Sequence, residues 1–209
     1  MKIVNPSVEL ITPFEGAEVL KFIEQCGRVC YRSESNTTLD SAEKFVRMLI
    51  KRGHESVLEH FGCTFKIICD RGVMAELTRH RLASFSVEST RFVDYSGEDL
   101  KFIKPNFGAL GLQAFSDGEL WFPSAIKKAE NIYKCLRKAN IPPELARSVL
   151  PLSLATTVIM TANLREWRHI LQLRTSEKAH PQMRQVANMI LDIFKEKLPV
   201  VFEEVSKDE

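Results

Sequence analysis

The sequence predicts an α+β protein: a mixed or antiparallel sheet surrounded by helices, in a single domain, with no Rossmann fold. Three observations carry this. Runs rich in β-branched and aromatic residues, FGCTFKIIC at 61–69 and LATTVIMTA at 154–162, read as strands. Between and after them lie longer segments with apolar residues at helical spacing. Finally, no GxGxxG follows a predicted strand and no GxxxxGK[ST] occurs, so the glycine loops that carry phosphates in dinucleotide-binding and P-loop folds are absent. A chain of 209 residues with 44% apolar and 27% charged residues buries a sizeable core and most economically makes one domain spanning 1–209, with 203–209 a solvated tail ending in SKDE. Repeats, low-complexity tracts and a second hydrophobic core are not evident.

Taken in order, residues 2–12 alternate enough, through Ile3, Val4, Val8 and Leu10, to predict a strand. FEGAEVLKFIEQCGRVC follows with Val19, Leu20, Ile23 and Cys26 on one helical face, and a second helix is expected over about 40–52 with Phe45, Met48 and Leu49 inward. After the strand at 61–69, GVMAELTRHR predicts a short helix over 72–81, which delivers Arg79, His80 and Arg81 at its C-terminal end. TRFVDYS and KFIKP are candidate strands separated by the turn signal SGED. From Pro105 to Pro123 the pattern is aperiodic and predicts a surface excursion. An amphipathic helix around Ile126 to Leu136, a turn at Ile141-Pro142-Pro143, the strand at 154–162 and two more helices complete the chain.

Charge and composition restrict function. The 29 Lys plus Arg against 27 Asp plus Glu leave a formal charge of +2, which gives no general reason to expect nucleic acid or an anionic membrane as partner. The first residues, MKIVNPSVELITPF, lack the apolar core of a signal peptide, and no run approaches bilayer-spanning length, so a soluble, cytoplasmic protein is expected. Five cysteines without a CxxC pair read as reduced thiols. Cys26 and Cys30, one helical turn apart, could share a metal, but no second ligand pair follows and small buried residues is the better reading.

Two segments depart from a bland fold. In NLREWRHILQLR (163–174), Asn163 is a good N-cap with Glu166 three residues later, in the manner of a capping box. On the resulting helix Leu164, Trp167, Ile170 and Leu171 fall within an arc of roughly 120°, and Arg174 falls inside that same arc. An arginine on a buried face must meet an acceptor, either a protein carboxylate or a bound anion. Arg165 and His169, four apart on the other side, can reach one common group or form a solvated face. The second segment, RHRLASFSVESTR (79–91), packs three arginines, a histidine and four hydroxyl side chains into thirteen positions. Arginine forks with hydroxyls and backbone N–H groups suit a phosphate; a network of these arginines with Glu76 and Glu88 is the alternative.

Other chemistries find little support. In HESVLEH (54–60) the histidines are six apart, not the four that would put both on one helical face, so a metal site is not expected. No GxSxG occurs, and no cysteine has a histidine beside it in sequence.

Arg79-His80-Arg81, seven residues and then Ser89, with Arg91 two further on, resembles the RHRx7S signature of the flavin-dependent thymidylate synthases. The resemblance extends to the GHES run at 53–56 with Glu59 and His60, to Glu144-x2-Arg147 before LPLSL, and to Asn163-x-Arg165-x3-His169-x4-Arg174, so it spans most of the chain. It implies reductive methylation of dUMP to dTMP, with methylenetetrahydrofolate as one-carbon donor and NADPH-reduced FAD as hydride source. It also implies a homotetramer with active sites between subunits. The positions matching the family's flavin contacts are Ser56, Glu59, Arg79, His80, Arg81, Asn163, Arg165 and His169. Those matching its nucleotide contacts are Glu76, Arg79, Ser89, Thr90, Arg91, Arg147 and Arg174, with Glu88 carried alongside them.

Physical chemistry gives the resemblance content. A small dianion needs charge-assisted bonds at its phosphate, for which Arg91 and Arg147 are placed, and a fixed geometry at its base. Arg174, by resemblance the residue facing the uracil, would favour an electron-rich, N3-deprotonated ring and so a more nucleophilic C5; its place on an apolar stripe strengthens that effect. Ser89 reads as a positioning hydroxyl, since no dedicated base accompanies it. The sequence also departs from the family. Ser86-Val87-Glu88 stands where Asn-Glu and one further residue usually precede the motif serine, so the glutamate has moved one position, and Glu76 replaces a frequent glutamine. His180 receives no role. The rival from another class is a non-catalytic nucleotide-binding protein using the same arginines, against which flavin loading discriminates; near-neutral charge argues against extended nucleic acid.

Overall fold

A computed structural model describes residues 1–107 and 112–205. The elements are β1 (Lys2–Val4), β2 (Ser7–Leu10), α1 (Gly16–Val29), α2 (Ser41–Lys51), a 3-10 turn (Glu55–His60), β3 (Gly62–Asp70), α3 (Arg71–Leu77), β4 (Ser84–Val87) and β5 (Lys101–Ile103). They continue with α4 (Leu112–Lys138), α5 (Pro143–Ala146), β6 (Ala155–Asn163), α6 (Leu164–Thr175), α7 (Pro181–Lys197) and α8 (Pro199–Phe202). One sheet has the order β2-β3-β6-β4 and a second pairs β1 with β5 in parallel, Lys2 opposite Lys101 and Val4 opposite Ile103. An antiparallel bridge joins Phe102 and Leu154. The α+β class is as the sequence predicts.

The described chain forms two compact units, and the division falls within β3 and β6. The first comprises Met1–Ser7, Ile67–Arg79 and Ser86–Ile159. Its core gathers Tyr95, Leu100, Phe102, Ile126, Tyr133, Ala146 and Leu154. Asp70 opens α3 as its N-cap, its carboxylate accepting from Val73 N–H at 2.8 Å. The second unit comprises Val8–Lys66, His80–Phe85 and Met160–Glu209. Alternation along β3 puts Cys63 and Phe65 on its buried face, and Phe65 meets Trp167 and Phe194 edge-on, each at 5.1 Å between ring centroids. Phe194 stacks on Phe202 at 4.1 Å, and Trp167 Nε1–H donates to Cys63 O at 3.1 Å, so α6 and α7 are anchored on β3 by aromatic side chains whose polar atom is satisfied.

Several expectations change. The strand at 2–12 is two strands, broken at Asn5-Pro6, where proline removes a ladder N–H. TRFVDYS is not a strand but a succession of turns, and the unexpected β4 precedes it. The excursion at 105–123 is in large part helix: α4 begins at Leu112 and carries Pro123 inside it, while residues 108–111 lie outside the described chain. Phe107 and Phe122, 5.9 Å apart, supply packing that periodicity did not reveal. On α2 the buried residues are Ala42, Val46, Leu49 and Ile50, with Phe45 and Met48 only half-buried. Cys30 is exposed and Cys26 half-buried, so these are not the small core residues expected; Cys63 and Cys69 are. The final SKDE lies outside the described residues.

Candidate active site

In the second unit the site starts from α6. Asn163 closes β6 and caps α6, its side-chain oxygen accepting from Glu166 N–H at 2.9 Å. Leu164, Trp167, Ile170 and Leu171 are buried as the 3.6-residue period demands, and Arg174, one turn on, is half-buried. One of its partners is a third kind, a neutral imidazole. Arg174 Nε–H donates to His80 Nε2 at 3.1 Å. An accepting Nε2 requires a neutral ring with its proton on Nδ1, which faces the Glu166 carboxylate at 3.8 Å. His80 is 5% exposed. Burial, and then the cationic Arg174 and nearby His169, push its pKa down to about 4, so the neutral, accepting form is the one present at neutral pH. His169 stands edge-on to His80 with ring centroids 6.3 Å apart.

The helix over 72–81 ends early. α3 stops at Leu77, so Arg79, His80 and Arg81 lie beyond it, His80 turned inward and both arginines exposed. Arg165, on the outer side of α6, does not share a group with His169. It donates to Glu59 in the 3-10 turn at 2.5 Å, a contact that holds the arginine's pKa above its usual value. Glu166, expected only as a capping-box residue, and Arg168, which the sequence did not single out, are both buried; Arg168 reaches Glu55 at 3.3 Å and Val201 O. Ser56 lines a hollow of about 260 Å³ with Tyr31, Leu49 and His54.

In the first unit the second half of the signature is organised around one turn. Ser89 O accepts from Phe92 N–H and Val93 N–H, at 3.3 and 3.0 Å, and Ser89 Oγ accepts from Arg91 N–H at 3.2 Å. The turn meets the Glu144-x2-Arg147 segment twice: Arg147 Nη1 donates to the buried Thr90 Oγ1 at 3.1 Å, and Arg91 Nε to Glu144 at 3.1 Å. Both arginines are exposed, so two guanidinium groups flank one hydroxyl-bearing turn. The α3 face contributes Glu76, half-buried, whose carbonyl accepts from Arg79 N–H at 3.2 Å. Glu88, half-buried, takes a 2.5 Å bond from the buried Tyr95 hydroxyl, and Asp94 is held by a two-point contact from Arg137 at 3.1 and 2.7 Å. Tyr95 and Arg137 carry no motif and were not legible beforehand.

A family model described as thymidylate synthase complementing protein matches residues 10–200. The chain is 33% identical to a flavin-dependent thymidylate synthase of Corynebacterium efficiens, over 94% of this chain and 82% of that protein. The chain belongs to the flavin-dependent thymidylate synthase family. A second member, from Geobacter sulfurreducens, is 33% identical over 84% of this chain and 77% of its own length. Among solved structures, a UMP/dUMP methylase, PolB from Streptomyces cacaoi, bound with 5-Br dUMP, superposes with a TM-score of 0.82 at 25% identity, covering 97% of this chain and 96% of that one.

Set beside the family's pattern, the positions matching flavin contacts lie in the second unit except Arg79, and those matching nucleotide contacts lie in the first except Arg174. Within the units the structure brings together His80, His169 and Arg174; Glu59 with Arg165; and Ser89, Thr90 and Arg91 with Arg147. Among the described residues no cluster of His, Cys, Asp and Glu is arranged to hold a metal ion.

Proposed function

We propose that the chain catalyses the reductive methylation of dUMP to dTMP, with methylenetetrahydrofolate as one-carbon donor and NADPH as reductant acting through FAD. It works as a cytoplasmic homotetramer with active sites between subunits, and residues 1–209 serve as one catalytic domain. No described helix is long and apolar enough to cross a membrane. The observation that carries the reading is the family match over residues 10–200, which contains the RHRx7S signature and both arginine segments. Ser56, Glu59, Arg79, His80, Arg81, Asn163, Arg165 and His169 are the residues assigned to FAD.

The donor set fits such a group. Arg79 and Arg81 are exposed, and among the described residues neither guanidinium has a partner, as befits cations that await a pyrophosphate. When bound, FAD supplies the hydride chemistry that no side chain of the chain offers. The chain binds, orients and polarises. Arg91 and Arg147 take the dUMP phosphate. The exposed Arg91–Glu144 pair that a dianion must loosen is worth no more than about 1 kcal/mol. Ser89, whose oxygen already accepts from Arg91 N–H, keeps its own O–H to donate. Arg174 faces the uracil and favours its N3-deprotonated form, raising electron density at C5. His80, neutral at working pH, holds the Nε edge of that guanidinium. Cys63 and Cys69, whose thiols burial pushes up to about 12, offer no thiolate nucleophile.

The purified protein is expected to be yellow, or to become so on loading with FAD, and to oxidise NADPH only when dUMP and methylenetetrahydrofolate are both present. A protein that cannot be loaded with FAD contradicts the reading and favours a non-catalytic nucleotide binder.

A further inference from the structure

The glutamate that stands one position away from its usual place in the signature has a structural occupation. We propose that Glu88 and Tyr95 form an internal clamp that holds the Ser89–Arg91 turn in the shape that receives the nucleotide phosphate, so that Glu88 is a positioning residue acting through Tyr95 and not itself a ligand. The proposal rests on the reading of Arg91 and Arg147 as the phosphate site.

Both ends of the clamp are fixed. Glu88 N–H donates to Thr157 O of β6 at 3.0 Å, which ties the residue before the turn to the sheet. Its carboxylate accepts from Tyr95 Oη–H at 2.5 Å, and Tyr95 is 7% exposed. Tyr95 is itself secured, its N–H donating to Tyr133 Oη at 3.3 Å from a fully buried α4 side chain. The adjacent Asp94 is gripped by Arg137, whose remaining nitrogen donates to Ile141 O at 2.5 Å, just before α5, which carries Glu144 and is followed directly by Arg147. Residues 88 and 95 are thereby pinned to each other, while the loop between them presents Ser89, Thr90 and Arg91.

A closed loop over residues 88–95 whose ends are joined by a charge-assisted bond presents its groups at a lower entropic cost than an open one. A carboxylate at position 88 committed to the Tyr95 hydroxyl is also not free to swing toward the dianion that Arg91 binds, where it would repel the phosphate. At position 87, where the family usually carries its glutamate, this chain has valine and no such bond is available.

Tyr95→Phe removes the hydroxyl and keeps the ring. It is expected to weaken dUMP binding about tenfold, and to raise KM for dUMP similarly, with kcat, FAD loading and melting temperature near those of the wild type. Amide hydrogen exchange over residues 89–94 should quicken. Glu88→Gln, which keeps an acceptor for Tyr95, should stay within about threefold of wild-type affinity, whereas Glu88→Leu should match Tyr95→Phe. If Tyr95→Phe binds dUMP as the wild type does, or if Glu88→Gln fails as completely as Glu88→Leu while segment 89–94 stays protected, the clamp is overturned and Glu88 is a direct ligand or a bystander. Wild-type protein that binds no dUMP overturns the nucleotide reading itself and the clamp's purpose with it. That outcome is distinct from normal wild-type binding combined with an unresponsive Tyr95→Phe.

Discussion

His80 should make the protein lose stability between pH 6.5 and 4, by an amount the structure sets. The imidazole titrates at its ordinary value near 6.5 in the unfolded chain and at about 4 in the folded one, because burial and the neighbouring cation Arg174 oppose its charging. Between those values the unfolded chain binds the extra proton, so stability is full above about pH 6.5 and falls as pH drops toward 4. At about 1.4 kcal/mol for each pH unit, the gap amounts to about 3 kcal/mol. Equilibrium urea unfolding of the wild type and of His80→Gln, at steps from pH 7.5 to 4, isolates the effect. The glutamine keeps an acceptor for Arg174 but does not titrate, and carboxylates common to both proteins cancel in the difference. The wild type should lose about 3 kcal/mol more than the variant over this range, a difference in midpoint of about 1–2 M urea. A difference that stays flat with pH refutes the neutral, buried His80 and the hydrogen bond from Arg174 that depends on it.

Three further outcomes are expected. Asn163→Ala removes the cap of α6 and should cost about 1 kcal/mol, read as a lower melting temperature, while Asn163→Asp or Ser should restore most of it. Thiol titration of the native protein at pH 8 should find the exposed Cys30 and Cys135 reacting fast, the half-buried Cys26 more slowly, and Cys63 and Cys69 only after unfolding, since burial raises their pKa to about 12. Arg174→Ala should retain FAD and lose at least a hundredfold in kcat, which steady-state kinetics would show; an unaffected rate would remove Arg174 from the chemistry.

The sequence announced the site more clearly than the fold around it. The RHRx7S spacing and the stripe of α6 were legible because a motif and a 3.6-residue period both repeat at fixed intervals, and the Asn163 cap followed from local chemistry alone. What Arg174 would meet was not legible. Its partner His80 lies 94 residues away in sequence, and a neutral histidine is an acceptor only once burial has set its protonation state. Tyr95 was hidden for the same reason: TRFVDYS has strand-like composition, yet the chain there closes a loop back onto Glu88, a tertiary contact that overrides propensity. The N-terminal half of α4 was missed, though the amphipathic run from Ile126 to Leu136 was legible, because Pro123 and the glycines ahead of it break the local pattern, while contacts such as Phe107 with Phe122 decide the outcome. Among the cysteines, Cys63 and Cys69 followed the β3 alternation inward, but nothing in the α1 period distinguished an exposed Cys30 from a buried one.

The central claim is that this chain methylates a pyrimidine nucleotide, and the most direct measurement is the mass of the nucleotide product. With FAD-loaded protein, NADPH and methylenetetrahydrofolate, dUMP should be converted to a product heavier by one CH2 group that co-elutes with dTMP, and omission of any one component should abolish it. Unaltered dUMP in the complete mixture, from protein that has bound both FAD and dUMP, would contradict the account.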